Sequence, residues 1–478
     1  MHIRSMTEAA AVVAVVVAVM FTSPTTTPHP AASKGSNIAL PPRSPFKDYV
    51  DYRDINTFGL RLLRSLSLRG SVLISPLSLW STMVLALYGA ELLTQHEMEE
   101  VLHVLNVRKY DLLRFLDSVE ESPLKVLNES DVVIMEQKSK VFKDQDFALG
   151  SRPERELEDR LCSVNFSMPE ETTKKINEFL KEITYNLMPS LVNPNQLRGT
   201  LMAMETGGTF KSHWRFNCEK NCINPFYPLP YSAPINVTMI WVKQLLPVGM
   251  DPHLRAMVVR MPFYHRMSLY LILPLYIGEK AFQDTLNALD SWSIRHALEW
   301  LDCYRIEVHV PRIKMHFEYS NDIMQCLIHL GARSMFDPER ADFSYFGDAM
   351  YTTDLNHDSY LEINETMATA GMASNLQLKS ADARIPYSAK TLWPSSRSRR
   401  TANADDINMP LNKDSKKLCR KRRSCKGNGD HSIEAQWERK DDTLCNMCLK
   451  FNRPFIFLLV DDTDNIIWQV GVYKTPLN

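Results

Sequence analysis

The 478-residue chain has almost no excess of charge: 55 Lys and Arg stand against 56 Asp and Glu, a net charge of −1. Nothing therefore draws the chain as a whole to nucleic acid or to a membrane surface. The apolar run near the N-terminus, Ala9 to Phe21, is broken by Thr22-Ser23-Pro24 and is too short for a comfortable membrane span. Enzyme signatures are missing too. There is no G-x-S-x-G, H-E-x-x-H, P-loop or G-x-G-x-x-G, and His96-Glu97 has no second His at the required spacing, which argues against an enzyme. No internal repeat occurs, and helices and strands do not alternate as they do in a doubly wound parallel sheet.

Arg4 before the short apolar run reads as a secretory signal over residues 1–23, with an uncleaved anchor as its rival, so the protein is expected to be extracellular. Residues 24–45, rich in Pro, Thr, Ser and Ala, read as a disordered leader. Residues 46–478 follow as a single domain. Sequons at Asn128, Asn165, Asn236 and Asn364 agree with secretion. The first three are taken as glycosylation sites, and Asn364 is expected to stay bare. The nine cysteines are an odd number, so at least one is unpaired or pairs between chains. Cys162 and Cys326 lie among apolar residues and read as buried thiols. Cys218-x3-Cys222 is spaced for a local bridge. Cys419-x5-Cys425 and Cys445-x2-Cys448 suit disulfides better than zinc in an oxidising compartment. No metal site and no cofactor is expected.

Asp54–Leu66, Pro76–Tyr88 and Pro169–Leu187 carry helical periodicity; Thr94 with Glu97 three residues on reads as the capped start of another helix. Val258–Pro262, Ser268–Leu273, Tyr304–Val310 and Tyr351–Ile363 read as strands. Helices early and strands late make this an α+β chain. In the C-terminal third, the strand ending at Glu365 runs into small residues, Ala368-Thr369-Ala370-Gly371-Met372-Ala373-Ser374. The chain closes with strands Pro454–Val460 and Ile466–Val472 around the turn Asp461–Asn465. Small residues after a strand can slide into a tight slot. This is the layout of a bait loop mounted on a sheet.

The blocks Ser75-Pro76-Leu77-Ser78, Val164-Asn165-Phe166, Phe210-Lys211-Ser212-His213-Trp214, Val258–Phe263, Tyr270–Pro274, Pro311–Lys314, Ala341–Ser344 and Phe451–Phe455 occur in one order, and that order resembles the serpins. The resemblance covers roughly 46–374 and 451–476. It implies one domain with a large mixed central sheet, additional sheets, about eight or nine helices and an exposed reactive-centre loop. It also implies a secreted inhibitor of a serine endopeptidase, acting by loop cleavage and insertion of the loop as a new central strand. The alternative is a non-inhibitory serpin: a carrier, a binding protein, or a precursor processed in its loop.

The resemblance places the hinge at Glu365, Thr366, Met367, Ala368 and Ala370, and the sheet-opening region at Ser75, Ser78, Trp214, Arg312 and His357, with Arg312 paired to Glu365. Met367 stands where the family usually has Gly, Met372 is larger than usual, and Thr206 holds the place of an Asn. These departures predict slow insertion or none. Compared with the family, about 60 residues are added, giving an insertion over about 375–450. Counting from the hinge without a gap lands the bait bond near Lys379, Ala381 and Arg384, which suits a trypsin-like enzyme; added residues before the bond would instead shift it far downstream. Arg397-Ser398-Arg399-Arg400 has the form of a processing site. Ser395–Lys426 holds eleven Lys and Arg and three Asp, so the stretch reads as a mobile, solvated loop. Its cluster Lys416, Lys417, Arg420, Lys421, Arg422 and Arg423 is a candidate site for glycosaminoglycan. A monomer that binds no nucleic acid is expected.

Overall fold

The computed structural model describes residues 50–66, 70–121, 124–127, 132–188, 190–228, 233–347, 349–381 and 447–476. In chain order the elements are α1 (Tyr52–Leu66), β1 (Val72–Ile74), α2 (Pro76–Gly89), α3 (Leu92–Leu102), α4 (Lys109–Glu120), β2 (Leu124–Leu127), β3 (Val132–Asp144), α5 (Ser151–Glu156), β4 (Leu161–Val164) and α6 (Pro169–Ile183). Then come β5 (Thr200–His213), β6 (Lys220–Phe226), β7 (Ile235–Asp251), β8 (Ala256–Pro262), β9 (Met267–Pro274), α7 (Glu279–Ala288), α8 (Ser291–Glu299), β10 (Asp302–Pro311), β11 (Ile313–Tyr319) and α9 (Asn321–Leu330). The chain ends in β12 (Met350–Ile363), β13 (Met367–Ser380), β14 (Met447–Lys450), β15 (Phe455–Asp461) and β16 (Ile466–Tyr473).

Among the described residues two sheets carry the fold. One has the order β1-β16-β15-β9-β8-β7-β10-β14, with β6 on β7. The other has the order β11-β12-β13-β5-β3-β2, with β4 on β3. Helix α2 lies in the core, and every one of its residues from Pro76 to Gly89 is buried. Its start is written locally: Ser75 is the N-cap, its side chain accepts the Ser78 N–H, and Pro76 occupies the first turn. The terminal hairpin β15–β16 forms where it was expected, with Asn465 at φ 57° in its turn.

Three expectations are corrected. The small-residue run is not an exposed loop: it is part of β13, a central strand pairing antiparallel with β12 from Ile363↔Ala368 to Met350↔Ser380 and with β5 from Met367↔His213 onward. Second, the stretch read as an inserted loop is not all loop: residues 375–380 complete β13 and 447–450 form β14. Third, Thr94 does not cap a helix. Helix α3 begins at Leu92, and Thr94 lies inside it, where its hydroxyl accepts the Asp342 N–H. Glu97 instead accepts the backbone N–H groups of Arg333 and Ser334. Both side chains serve a distant loop, a tertiary use that sequence spacing does not report.

Candidate functional site

The site is the seat of β13. Its residues alternate as a strand requires. Ala368, Ala370, Met372, Leu376 and Leu378 enter the main core, while Ala373 packs on the opposite face with Ile176, Leu180 and Ile183 of α6. The small residues belong where neighbours press closest. At Gly371 a Cβ would lie 2.9 Å from the Leu187 Cβ and 3.0 Å from the Met188 Cε. Met372 fits for a reason opposite to the one its size suggests. It is fully buried and lies over Gly208 of β5, whose missing Cβ makes the room. Its Sδ is 3.2 Å from the Ser75 Oγ. Met367 sits at the half-buried mouth of the slot, paired with His213.

At the top of the strand, Asn364 closes the turn between β12 and β13. Its Oδ1 accepts the N–H groups of Thr366 and Met367 at 2.9 and 3.0 Å. Trp214 donates its indole N–H to the Asn364 carbonyl at 2.8 Å and stacks on Phe263 with centroids 4.1 Å apart. Arg312 donates Nε and Nη2 to the two oxygens of Glu365 at 2.7 and 2.8 Å. Burial pushes the Glu365 carboxyl up, and the hydrogen bond and charge of Arg312 outweigh it, leaving the group below its ordinary value.

Midway along, β13 closes a buried polar network. His357 Nε2 accepts the Ser75 N–H at 3.0 Å, so the ring proton belongs on Nδ1, which lies 2.9 Å from the Ser374 Oγ. Ser374 is in turn 2.8 Å from the Ser78 Oγ. Burial pushes the His357 pKa down to about 3, which keeps the ring neutral. Thr206 joins Thr82 at 2.8 Å and Ser139 at 3.0 Å.

The lower half holds what sequence reasoning missed. Asn375 donates to the Glu205 Oε1, and its own Oδ1 accepts from Asn356 at 3.3 Å and Gln377 at 3.0 Å. Thr200 donates to the Gln377 Oε1 at 3.2 Å. Glu205 is wholly buried, and desolvation raises its pKa well above its ordinary value. The available signal was the alternation Asn375, Leu376, Gln377, Leu378, a strand pattern inside a stretch assigned to the loop.

Of the bait-bond candidates, Lys379 lies in β13 with its ammonium 3.5 Å from Asp354, and the Ala381 N–H donates to the Ala349 carbonyl at 2.9 Å. Arg384, the processing residues Arg397, Arg399 and Arg400, and the basic cluster Lys416, Lys417, Arg420, Lys421, Arg422 and Arg423 lie outside the described residues, as do residues 1–49 and Asn128. Asn236 is exposed near the start of β7 and Asn165 is half-buried. Cys218 and Cys222 are both free thiols, so the local bridge expected between them is not made. Cys162, Cys326 and Cys448 make no disulfide either, so the bridge expected for Cys445-x2-Cys448 is not made, while Cys303 is disulfide-bonded.

Residues 53–404 match the family model of the serpins, described as serine protease inhibitors. The chain is 26% identical over 331 residues to intracellular coagulation inhibitor 1 of Tachypleus tridentatus, covering 67% of this chain and 78% of that one. It is 26% identical over 343 residues to the leukocyte elastase inhibitor of Sus scrofa, covering 66% and 87%. Among solved structures, cleaved Serpin 42Da superposes with a TM-score of 0.68 at 16% identity, over 89% of this chain and 98% of that one. A loop-inserted, cleaved ovalbumin mutant superposes with a TM-score of 0.67 at 14% identity, over 89% and 100%. The thermophilic serpin tengpin in its latent state gives 0.63 at 17% identity, over 88% and 96%. The family match spans well over half of the chain and the fold is shared: the protein is a divergent member of the serpin family, whose members in general act on serine proteases as inhibitors.

Proposed function

We propose that the protein is a secreted inhibitor of a serine endopeptidase, that it is not itself an enzyme, and that it works by loop cleavage and insertion of β13. The observation that carries this reading is the fit of the strand. The polar side chains of Ser374, Asn375 and Gln377 meet partners on the flanking elements, and Met372 meets a glycine. Strands β12 and β5 are each antiparallel to β13 and therefore run parallel to one another. Withdrawing β13 would leave a parallel join or a gap, and the buried groups of Glu205, Asn356 and His357 would lose partners. Insertion is thus downhill, and a protease can be trapped by the strand's movement.

Cleavage is not needed to seat the strand. Residues 381–446 could span about 200 Å if extended, so β13 can enter the sheet while β14 stays paired with β10. The seated form hides Lys379, so the inhibitory form must hold β13 outside the sheet. A chain that seats β13 at once would serve instead as a carrier, a binding protein or a precursor processed at Arg397–Arg400, a second reading that the central position of β13 in the uncut chain also admits.

The disulfide at Cys303 supports an oxidising, extracellular setting. The target enzyme is proposed to be trypsin-like on account of Lys379 and Arg384, the 416–423 cluster to bind glycosaminoglycan, and the protein to act as a monomer. Freshly secreted protein mixed with trypsin-like and chymotrypsin-like proteases should give an SDS-stable complex with the trypsin-like enzyme. Cleavage without a complex would sink the inhibitory reading and leave the second.

A further inference from the structure

Strand β14 brings a thiol beside a carboxylate and an imidazole. Glu307 and His309 are two residues apart on β10 and so share one face. Cys448 is the direct parallel partner of Glu307. The carboxylate oxygen, the imidazole nitrogen and the thiol sulfur all lie within 4.8 Å of one another. Three different donors within that distance match the protein share of a tetrahedral zinc site that keeps its fourth position for water.

The imidazole is held ready. Its ring stacks on Trp241 with centroids 5.7 Å apart, and its Nε2 already points at the Glu307 Oε1, 2.7 Å away. Its Nδ1 lies 3.6 Å from the Cys222 Sγ, which takes a hydrogen bond from the Asn224 side chain at 3.0 Å. A cation on Nε2 requires the ring proton on Nδ1, where Cys222 can accept it. That is the supporting contact that fixes a metal-bound histidine.

We propose that Glu307, His309 and Cys448 bind one borderline-soft divalent cation of the zinc type, which ties β14 to β10. On loading, the Cys448 thiol proton leaves to solvent and the imidazole proton moves from Nε2 to Nδ1. The cation's two positive charges meet one carboxylate and one thiolate, and nothing is oxidised or reduced. Lys450, two residues beyond Cys448, is a neighbouring cation and limits the affinity. The ion anchors the point where the chain returns after residue 446, independently of where β13 sits.

The test uses the full-length protein with its Cys303 disulfide intact, handled without oxygen. Zinc is titrated by calorimetry and cobalt by absorption. One ion per chain is expected, with a thiolate-to-cobalt charge-transfer band and a raised melting temperature. Cys448→Ser should abolish the band and weaken zinc well over tenfold. Cys222→Ala should keep the band and weaken zinc about tenfold. Replacing Cys419, Cys425 and Cys445 together by Ser should change neither. Cys448 is exposed, so its serine variant is expected to melt like the metal-free wild type, which checks that it is folded. Absence of binding, binding that survives Cys448→Ser, or binding lost with the other three cysteines would each overturn the proposal.

Discussion

The two halves of β13 are held by different physics. The upper half, Ala368 to Ala373, is mostly small and apolar apart from Thr369 and the larger Met372, and it enters by closeness of fit: Gly371 against Leu187 and Met188, Met372 over Gly208. The lower half, Ser374 to Gln377, is buried and polar, and it enters by pairing: Ser374 with His357 and Ser78, Asn375 with Glu205 and Asn356, Gln377 with Thr200. Packing tolerates a slide of the strand until a side chain is too large. Buried hydrogen bonds tolerate no slide, because each unmade bond costs the desolvation of its group. The upper half therefore sets whether the strand can enter, and the lower half sets the register in which it stops.

Gly371→Val tests the upper half and should have the largest effect. Its side chain meets Leu187 and Met188 only when β13 is seated, and such overpacking costs about 1–3 kcal/mol or more where backbone cannot yield. The seated form should melt lower, and a protease should cut the variant without being trapped. A melting curve identical to wild type would show that the slot is looser than the geometry says.

Asn375→Ala tests the lower half. It strips Glu205, Asn356 and Gln377 of a partner in a buried setting, for about 1–3 kcal/mol by denaturant unfolding. Asn375→Ala combined with Glu205→Leu should recover part of the loss, since the stranded acid is then gone. No recovery would mean that Glu205 is not the group that suffers.

The junction between the halves carries the pH dependence. His357 has its pKa pushed down to about 3 by burial, against an ordinary 6.5. Between those values the unfolded chain takes up a proton that the folded chain refuses. The stability is therefore full above about pH 6.5 and is lost as pH falls toward 3. Asp358, raised to about 6 by burial, acts in the opposite sense. The useful measurement is accordingly the melting temperature of wild type minus that of His357→Gln, which should shrink as pH falls from 7 to 4. A difference independent of pH would contradict a buried neutral ring.

Outside both halves, Arg312→Ala should have the smallest effect. Its side chain is 46% exposed, and pairs of that kind are worth under about 1 kcal/mol. A larger loss in thermal unfolding would show that the pair, rather than the slot, holds the top of the strand.

The sequence by itself determined the local parts: the Ser75 cap with Pro76 behind it, the terminal hairpin around Asn465, the strand Met350–Ile363, and the run of small residues that fits a tight slot. Each depends on neighbours a few residues away, through dihedral preference, capping or alternation. Only the tertiary structure decided that Met372 would find Gly208, that Asn375 and Gln377 belong to a central strand, and that Cys448 would face Glu307 and His309. Those pairings join residues more than a hundred positions apart. Strand register sets them, and register is chosen by the whole core at once, because a slip of one residue turns every side chain to the other face.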